Sequence, residues 1–488
     1  MNTKTDIMRV YLEQDAVGLG RLIKAKEISS IEALDAAVEI LERLNPELNA
    51  VSQTCFDVAR ECARTTSRGG VFSGVPFLAK DLATSAAGLR TTNSSKFFSL
   101  HNSAPAVDNE VVTRMRKSGL NILGFTNVPE NGWSLTTEPK LNGPTRNPWN
   151  VGRTAGGSSG GAAAAVAAGI VPLAEASDAA GSIRMPAAMC GIVGLKPSRG
   201  RVSVSPAPDF FHGGAVFLCL SRTVRDTAAY LDAVAGGLPG EPYTPAEQQD
   251  GFLAASQLGL RKLRVGFSLA SPDGSPVDSQ ISAGIERVAR LLASHGHDVE
   301  AHDLKFDILD CWSAFTRMAA VQTAGFVENG AASFGVELRS EEFEPYTWSG
   351  IQKGRSIDAL THARDIDAIR RGGIDIAKDI HAYDVFISPV MRRVAFGIGT
   401  SFDMSCGDWE RYNAEFLKDA ACLFPFNVSG QPAISLPLFQ SDEGLPIGIQ
   451  FAGRYGDEAT LLQVASVLEQ ELPWSGRVPT VHAASDFS

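Results

Sequence analysis

The hydrophobic pattern changes period repeatedly along this chain, and each change marks an element. Ile31, Leu34, Val38, Ile40 and Leu41 follow Ser29 on one broad apolar side, and Glu32 stands three residues after that serine. The spacing predicts a helix over 30–44 that begins with a capping box. Asn45-Pro46 is expected to end it. A second helix is predicted over 56–66. The run Val75-Pro76-Phe77-Leu78-Ala79 then reads as a short buried strand with Lys80 at its end. Helical spacing over 107–117, a stop at Gly119 and an apolar run over 121–125 give a helix followed by a strand. Residues 142–159 read as loop, and the small residues 162–168 as a closely packed helix. A strand is predicted at 171–174, a small-residue turn at 177–182, and an interior strand at 192–195.

The alternation continues with a helix over 223–235, a strand at 263–267, a helix over 278–292 and an extended piece from Asp298. The stretch 315–380 is mainly helical and more charged. Its Phe315, Met318, Phe326, Phe343, Tyr346 and Trp348 are candidates for an apolar substrate wall or for ordinary core. Strands at 385–389, within 427–437 and at 447–451 precede an amphipathic helix over 461–472. This order predicts an α/β fold, a central mixed twisted sheet flanked by helices. No composition break divides the chain, so it reads as one domain over 1–488 with a helical insertion at 310–380.

Composition narrows the function. Of 488 residues, 44% are apolar and 20% charged, enough for a packed core. A net charge of -11 argues against a broad cationic surface for nucleic acid or anionic lipid. The longest apolar run, 162–173, is short for a membrane span. The opening residues lack the apolar core of a signal peptide, so a cytoplasmic setting is expected. Seven scattered cysteines without a CxxC pair argue against a disulfide framework or a thiolate zinc site. No acidic cluster suggests a metal, and none is expected.

The chemistry concentrates in two glycine-serine clusters, Gly156-Gly157-Ser158-Ser159-Gly160-Gly161 and Asp178-Ala179-Ala180-Gly181-Ser182. Neither has the spacing of a phosphate loop, a dinucleotide fingerprint or a GxSxG elbow. A flexible loop is the ordinary alternative. A serine hydroxyl needs a base to become a nucleophile. None of the eight histidines lies in the small-residue core, and His295 and His297 look like an exposed helix end. Lys80 is the better base, because a lysine desolvated at a strand end has a lowered pKa. Its ordinary alternative is an ion pair with Asp81.

These clusters, together with Gly74-Val75-Pro76-Phe77-Leu78-Ala79-Lys80-Asp81, Cys190-Gly191-Ile192-Val193-Gly194-Leu195-Lys196-Pro197 and Pro425-Phe426-Asn427-Val428-Ser429-Gly430-Gln431-Pro432, resemble the amidase signature family. The resemblance spans about residues 20–475. It implies a serine amidase with a Ser-cis-Ser-Lys triad, carried here by Ser182, Ser158 and Lys80, and a cis Gly157–Ser158 peptide. It also implies an oxyanion hole from the N–H groups of Ala179, Ala180, Gly181 and Ser182. Thr154 is a candidate to orient the relay, Asp178 to brace the nucleophile turn, and Arg184 to pair with an acidic neighbour. Asn127 and Gln431 are candidates to approach the substrate or to stabilise loops. Where the family commonly has Gly-Gly before the nucleophile, this chain has Ala180-Gly181. That form resembles the branch containing 6-aminohexanoate cyclic-dimer hydrolase.

The implied reaction is hydrolysis of a small or medium-sized acyl or aryl amide, with no cofactor. The expected partner is a small-molecule amide, with room for a homodimer and without nucleic acid or membrane. Three alternatives stand beside it: hydrolysis of a cyclic dimer or oligomer of 6-aminohexanoate, an amidotransferase catalytic subunit, and a non-enzymatic interaction protein.

Overall fold

A computed structural model describes residues 4–65, 69–207 and 209–485. Thirteen strands occur among them: β1 (Val51–Thr54), β2 (Pro76–Lys80), β3 (Asn121–Thr126), β4 (Arg146–Asn147), β5 (Asn150–Thr154), β6 (Leu173–Asp178), β7 (Val193–Lys196), β8 (Val216–Ser221), β9 (Arg264–Phe267), β10 (Asp298–Ala301), β11 (Val385–Pro389), β12 (Ala433–Gln440) and β13 (Pro446–Gly453). Eleven form one sheet in the order β1-β3-β2-β6-β8-β7-β12-β13-β11-β9-β10. The sheet is mixed: four neighbouring pairs are parallel and six antiparallel. Helices cover it, and the α/β architecture expected from strand–helix alternation is present.

Burial explains the strand patterns. Every residue of β2, β3, β6, β7, β8, β11 and β13 is buried, as a sheet covered on both faces requires. β2 and β6 run parallel through the Leu78–Ala174 pair. Their C-terminal residues, Lys80 and Ser177-Asp178, therefore emerge at the same edge of the sheet. Loops at such edges are where α/β proteins build sites.

The helix Ser30–Leu48 starts with the expected capping box. It does not stop at Pro46. Proline removes one N–H four residues after Glu42, whose side chain lies on the exposed side where solvent can replace the lost partner. The helix ends instead at Asn49, in the left-handed conformation at φ 50°. The second helix is Phe56–Thr65, and Thr66 lies outside the described residues. The helix expected from 107 begins at Glu110, where the Asn109 side chain caps it. Part of the expected 142–159 loop is the β4–β5 hairpin. β6 starts later than expected and extends through Asp178, so the turn before Ser182 is shorter. His297 is buried rather than exposed, and its Nδ1 accepts from the Leu263 N–H at 3.1 Å.

The 310–380 stretch is occupied by the helices Ile308–Phe334, Pro345–Ser356 and Ala359–Asp379. Among the described residues no helix is long and apolar enough to cross a membrane.

Candidate active site

Lys80 is fully buried at the end of β2. Its Nζ lies 2.9 Å from Ser158 Oγ, 2.8 Å from Ser159 Oγ and 2.9 Å from Ser177 Oγ. It does not pair with Asp81, whose carboxylate accepts from the Thr92 N–H and hydroxyl. Burial pulls the Lys80 ammonium down to about 7, against the opposing charges of Glu175 and Asp178. Glu175 lies next to it on β6, accepting from the Lys80 backbone N–H at 2.9 Å and from Thr84 Oγ1 at 2.8 Å. Burial raises its carboxyl to about 7. The same low-dielectric pocket thus favours the neutral form of both groups.

Ser158 and Ser159 sit in the turn between β5 and the helix Gly160–Ala167. The Gly157–Ser158 peptide is cis. Glycine is required at position 157 because a Cβ there would come within 2.8 Å of Ser134 O. Ser159 Oγ also contacts Ser177 O at 3.3 Å, so its proton has an acceptor other than Nζ. Ser158 Oγ has no competing acceptor among the described residues, which leaves its proton available to a neutral Nζ.

Ser182 follows in the turn after β6. The Ser159 N–H donates to the Ser182 carbonyl at 3.3 Å, tying the two turns together. Ser158 and Ser182 both line one cavity. Gly181 is at φ 121°, and a side chain there would meet Leu423 at 2.4 Å, so this turn accepts only glycine.

Asp178 holds the turn from below. Its Oδ1 accepts from the Gly181 N–H at 2.7 Å and its Oδ2 from the Ile183 N–H at 3.1 Å. Arg184, fully buried, returns through Nη2 at 2.9 Å and Nε at 3.0 Å. Burial alone would raise the Asp178 carboxyl, but the Arg184 guanidinium overrides it and holds the group well below the usual carboxylate range. The remaining Arg184 donors reach Leu423 O, Gln450 Oε1 and Asn427 Oδ1 at 2.7–2.8 Å. Asn427 also donates to Asp178 Oδ1 at 2.9 Å.

This latch corrects one expectation. The Gly181 N–H is engaged by Asp178, so it does not point free into an oxyanion hole. The N–H groups of Ala179, Ala180 and Ser182 have no hydrogen-bond partner among the described residues. Thr154 Oγ1 accepts from the Gly156 N–H at 3.1 Å and shapes the glycine turn without bonding to Ser158. Asn127 and Gln431 do not line the cavity. Asn127 ties loops through Gly143 O and Thr145 Oγ1, and Gln431 donates to Gly453 O.

Asn427 and Gln450 were not assigned roles from sequence. Asn427 stood in a resembling segment, but the contacts of both with Arg184 join residues more than 240 positions apart. Of the six wall candidates, Phe315 and Phe326 line the cavity. Met318 and Tyr346 are core, and Phe343 stacks on Phe97 in a separate cluster with Trp348 beside it. Trp133, Phe211 and Trp312 complete more of the apolar wall. Among the described residues no group of three or more His, Cys, Asp or Glu side chains could hold a metal ion.

The family profile described as amidase matches residues 32–462. A 6-aminohexanoate-cyclic-dimer hydrolase from Paenarthrobacter ureafaciens is 37% identical over 481 residues, covering 96% of this chain and 97% of that protein. A solved structure of 6-aminohexanoate cyclic dimer hydrolase complexed with substrate superposes with a TM-score of 0.92 at 37% identity, over 96% of this chain and 99% of the other. A bacterial aryl acylamidase structure superposes with a TM-score of 0.84 at 28% identity, over 95% and 97%.

Proposed function

The chain belongs to the amidase signature family and cleaves a carboxamide bond, and from that premise we propose that Ser182, Ser158 and Lys80 carry the reaction. Neutral Lys80 takes the Ser158 proton while Ser158 takes that of Ser182. Ser182 Oγ forms a bond to the amide carbon, and the oxyanion meets the N–H groups of Ala179, Ala180 and Ser182. The C–N bond then breaks as Ser158 returns a proton to the departing amine. Water, deprotonated along the same path, attacks the acyl-serine and releases the acid. Support for these roles comes from the three hydroxyl contacts of the buried Lys80 and from the shared cavity of the two serines.

The base must be neutral to work, which sets the pH dependence. Below about 7 Lys80 gains a proton and loses its acceptor function. The expected kcat/KM therefore falls as pH drops through about 7, approaching about tenfold per pH unit on the acid side. A pH profile measured with one neutral amide checks this. A flat profile between roughly pH 5 and pH 8 contradicts the assignment of Lys80.

The substrate we propose is a medium-sized, fairly apolar amide, turned over by the isolated chain without a tRNA-binding partner. The observation that carries it is the apolar wall around the serines, including Trp133, Phe211, Trp312 and Phe315. The relatives that hydrolyse 6-aminohexanoate cyclic dimer make that compound the first to assay. A panel of the cyclic dimer, an aryl amide and short unbranched amides, read by mass spectrometry, tests the reading. Turnover of the cyclic dimer or aryl amide above the short amides is expected. Preference for the shortest amide, or activity only with an added tRNA-binding subunit, contradicts it.

A further inference from the structure

Polar side chains interrupt the apolar cavity wall at few places beyond the serine turns. The Thr316 hydroxyl donates to Ser313 O at 3.1 Å. Asn413 accepts from Tyr346 OH at 3.2 Å and donates to Trp409 O at 2.8 Å. Both polar atoms of Asn131 are shielded from solvent and have no hydrogen-bond partner among the described residues, so nothing fixes which end of its amide is the donor. Gln322 is different. It lies on the helix Ile308–Phe334, where Ala319, Gln322 and Phe326 place one helical face against the cavity.

The Phe211 N–H donates to Gln322 Oε1 at 2.5 Å. A backbone N–H can only donate, so this bond fixes which end of the side-chain amide is oxygen. The other end, Nε2, has no hydrogen-bond partner among the described residues, and it is not among the polar atoms closed off from solvent. The result is an oriented N–H donor in a largely apolar wall. Such a donor is satisfied by a carbonyl oxygen, and a ligand that offers none leaves it to the solvent from which it is not closed off.

We infer that Gln322 is a specificity-determining residue whose Nε2 donates to a second carbonyl of the substrate, that of an uncleaved amide. The inference rests on the amidase reading above and names the substrate class within it: compact diamides. The acyl-transfer chemistry at Ser182 needs no contribution from Gln322.

The test compares 6-aminohexanoate cyclic dimer, with two amides, and hexananilide, with one. Gln322→Glu keeps an acceptor for the Phe211 N–H and removes the donor. Gln322→Met removes both. In both variants the KM for the cyclic dimer is expected to rise about tenfold with kcat changed less than about threefold, while both constants for hexananilide stay within about twofold. Equal losses on the two substrates, or no change on either, overturns the inference. Impairment by Gln322→Met alone also overturns it, since that result assigns only the Phe211 contact. Wild-type protein that cleaves hexananilide but not the diamide overturns it while leaving the Ser182 chemistry standing. Wild-type protein that cleaves neither removes the amidase reading and the inference together.

Discussion

Ser182→Ala lowers amide turnover by at least about 10⁴-fold while leaving the protein folded, the scale seen when a serine nucleophile is removed from a preorganised site. The fold survives because the Ser182 hydroxyl has no hydrogen-bond partner among the described residues to lose. What holds the turn is the Gly181 N–H on the Asp178 carboxylate and the Ser159 N–H on the Ser182 carbonyl, neither of which uses the Ser182 side chain. Circular dichroism and the unfolding midpoint should therefore match those of the unsubstituted protein. Residual activity within tenfold of the original, checked by a purified-protein assay free of contaminating amidase, removes Ser182 as nucleophile.

The second large effect is on stability. Arg184 and Asp178 are fully buried and paired at 2.9 Å. Arg184→Met would leave the Asp178 carboxylate without its counter-charge, and Leu423 O, Gln450 and Asn427 without their donors. Breaking one side of a buried pair costs about 3–5 kcal/mol, more than the net worth of the pair, because an uncompensated charge remains. Replacing both partners, with Asp178→Asn and Arg184→Met together, is expected to cost less than the sum of the single changes, as coupled neighbours do. Urea unfolding of the three variants measures this. A single-variant loss below about 1 kcal/mol would mean that the latch does not hold the turn.

How far the sequence reached follows from the range of the interactions involved. Lys80, Ser158 and Ser182 lie in runs of distinctive local composition, and β2 and β6 bring two of those runs to one edge because they are parallel. Local chemistry and one topological rule suffice for that much. β8 escaped notice although it lies at the centre of the sheet. Its Val216–Ser221 run is buried throughout and lacks polar alternation, and a short apolar run of that kind does not by itself separate a strand from a buried helix segment. The Pro46 expectation failed because a proline near a helix end affects a carbonyl that solvent can serve. The Gly181 donor was misassigned because sequence places glycine correctly in a turn but does not say where its N–H points. That direction is set by the Asp178 carboxylate, itself held by Arg184, Asn427 and a helix that follows the turn. Gln322 was invisible for a related reason: its meaning depends on the Phe211 N–H, 111 residues away.

The most direct measurement is to intercept the covalent intermediate. The protein is mixed with an activated ester or amide substrate, quenched in acid within the first turnovers, digested and mapped by mass spectrometry. The account predicts one added acyl group on the peptide containing Ser182, localised to that residue by fragmentation and absent from Ser182→Ala. An acyl group on another residue, or full amide turnover with no acylated Ser182 at any quench time, would contradict it.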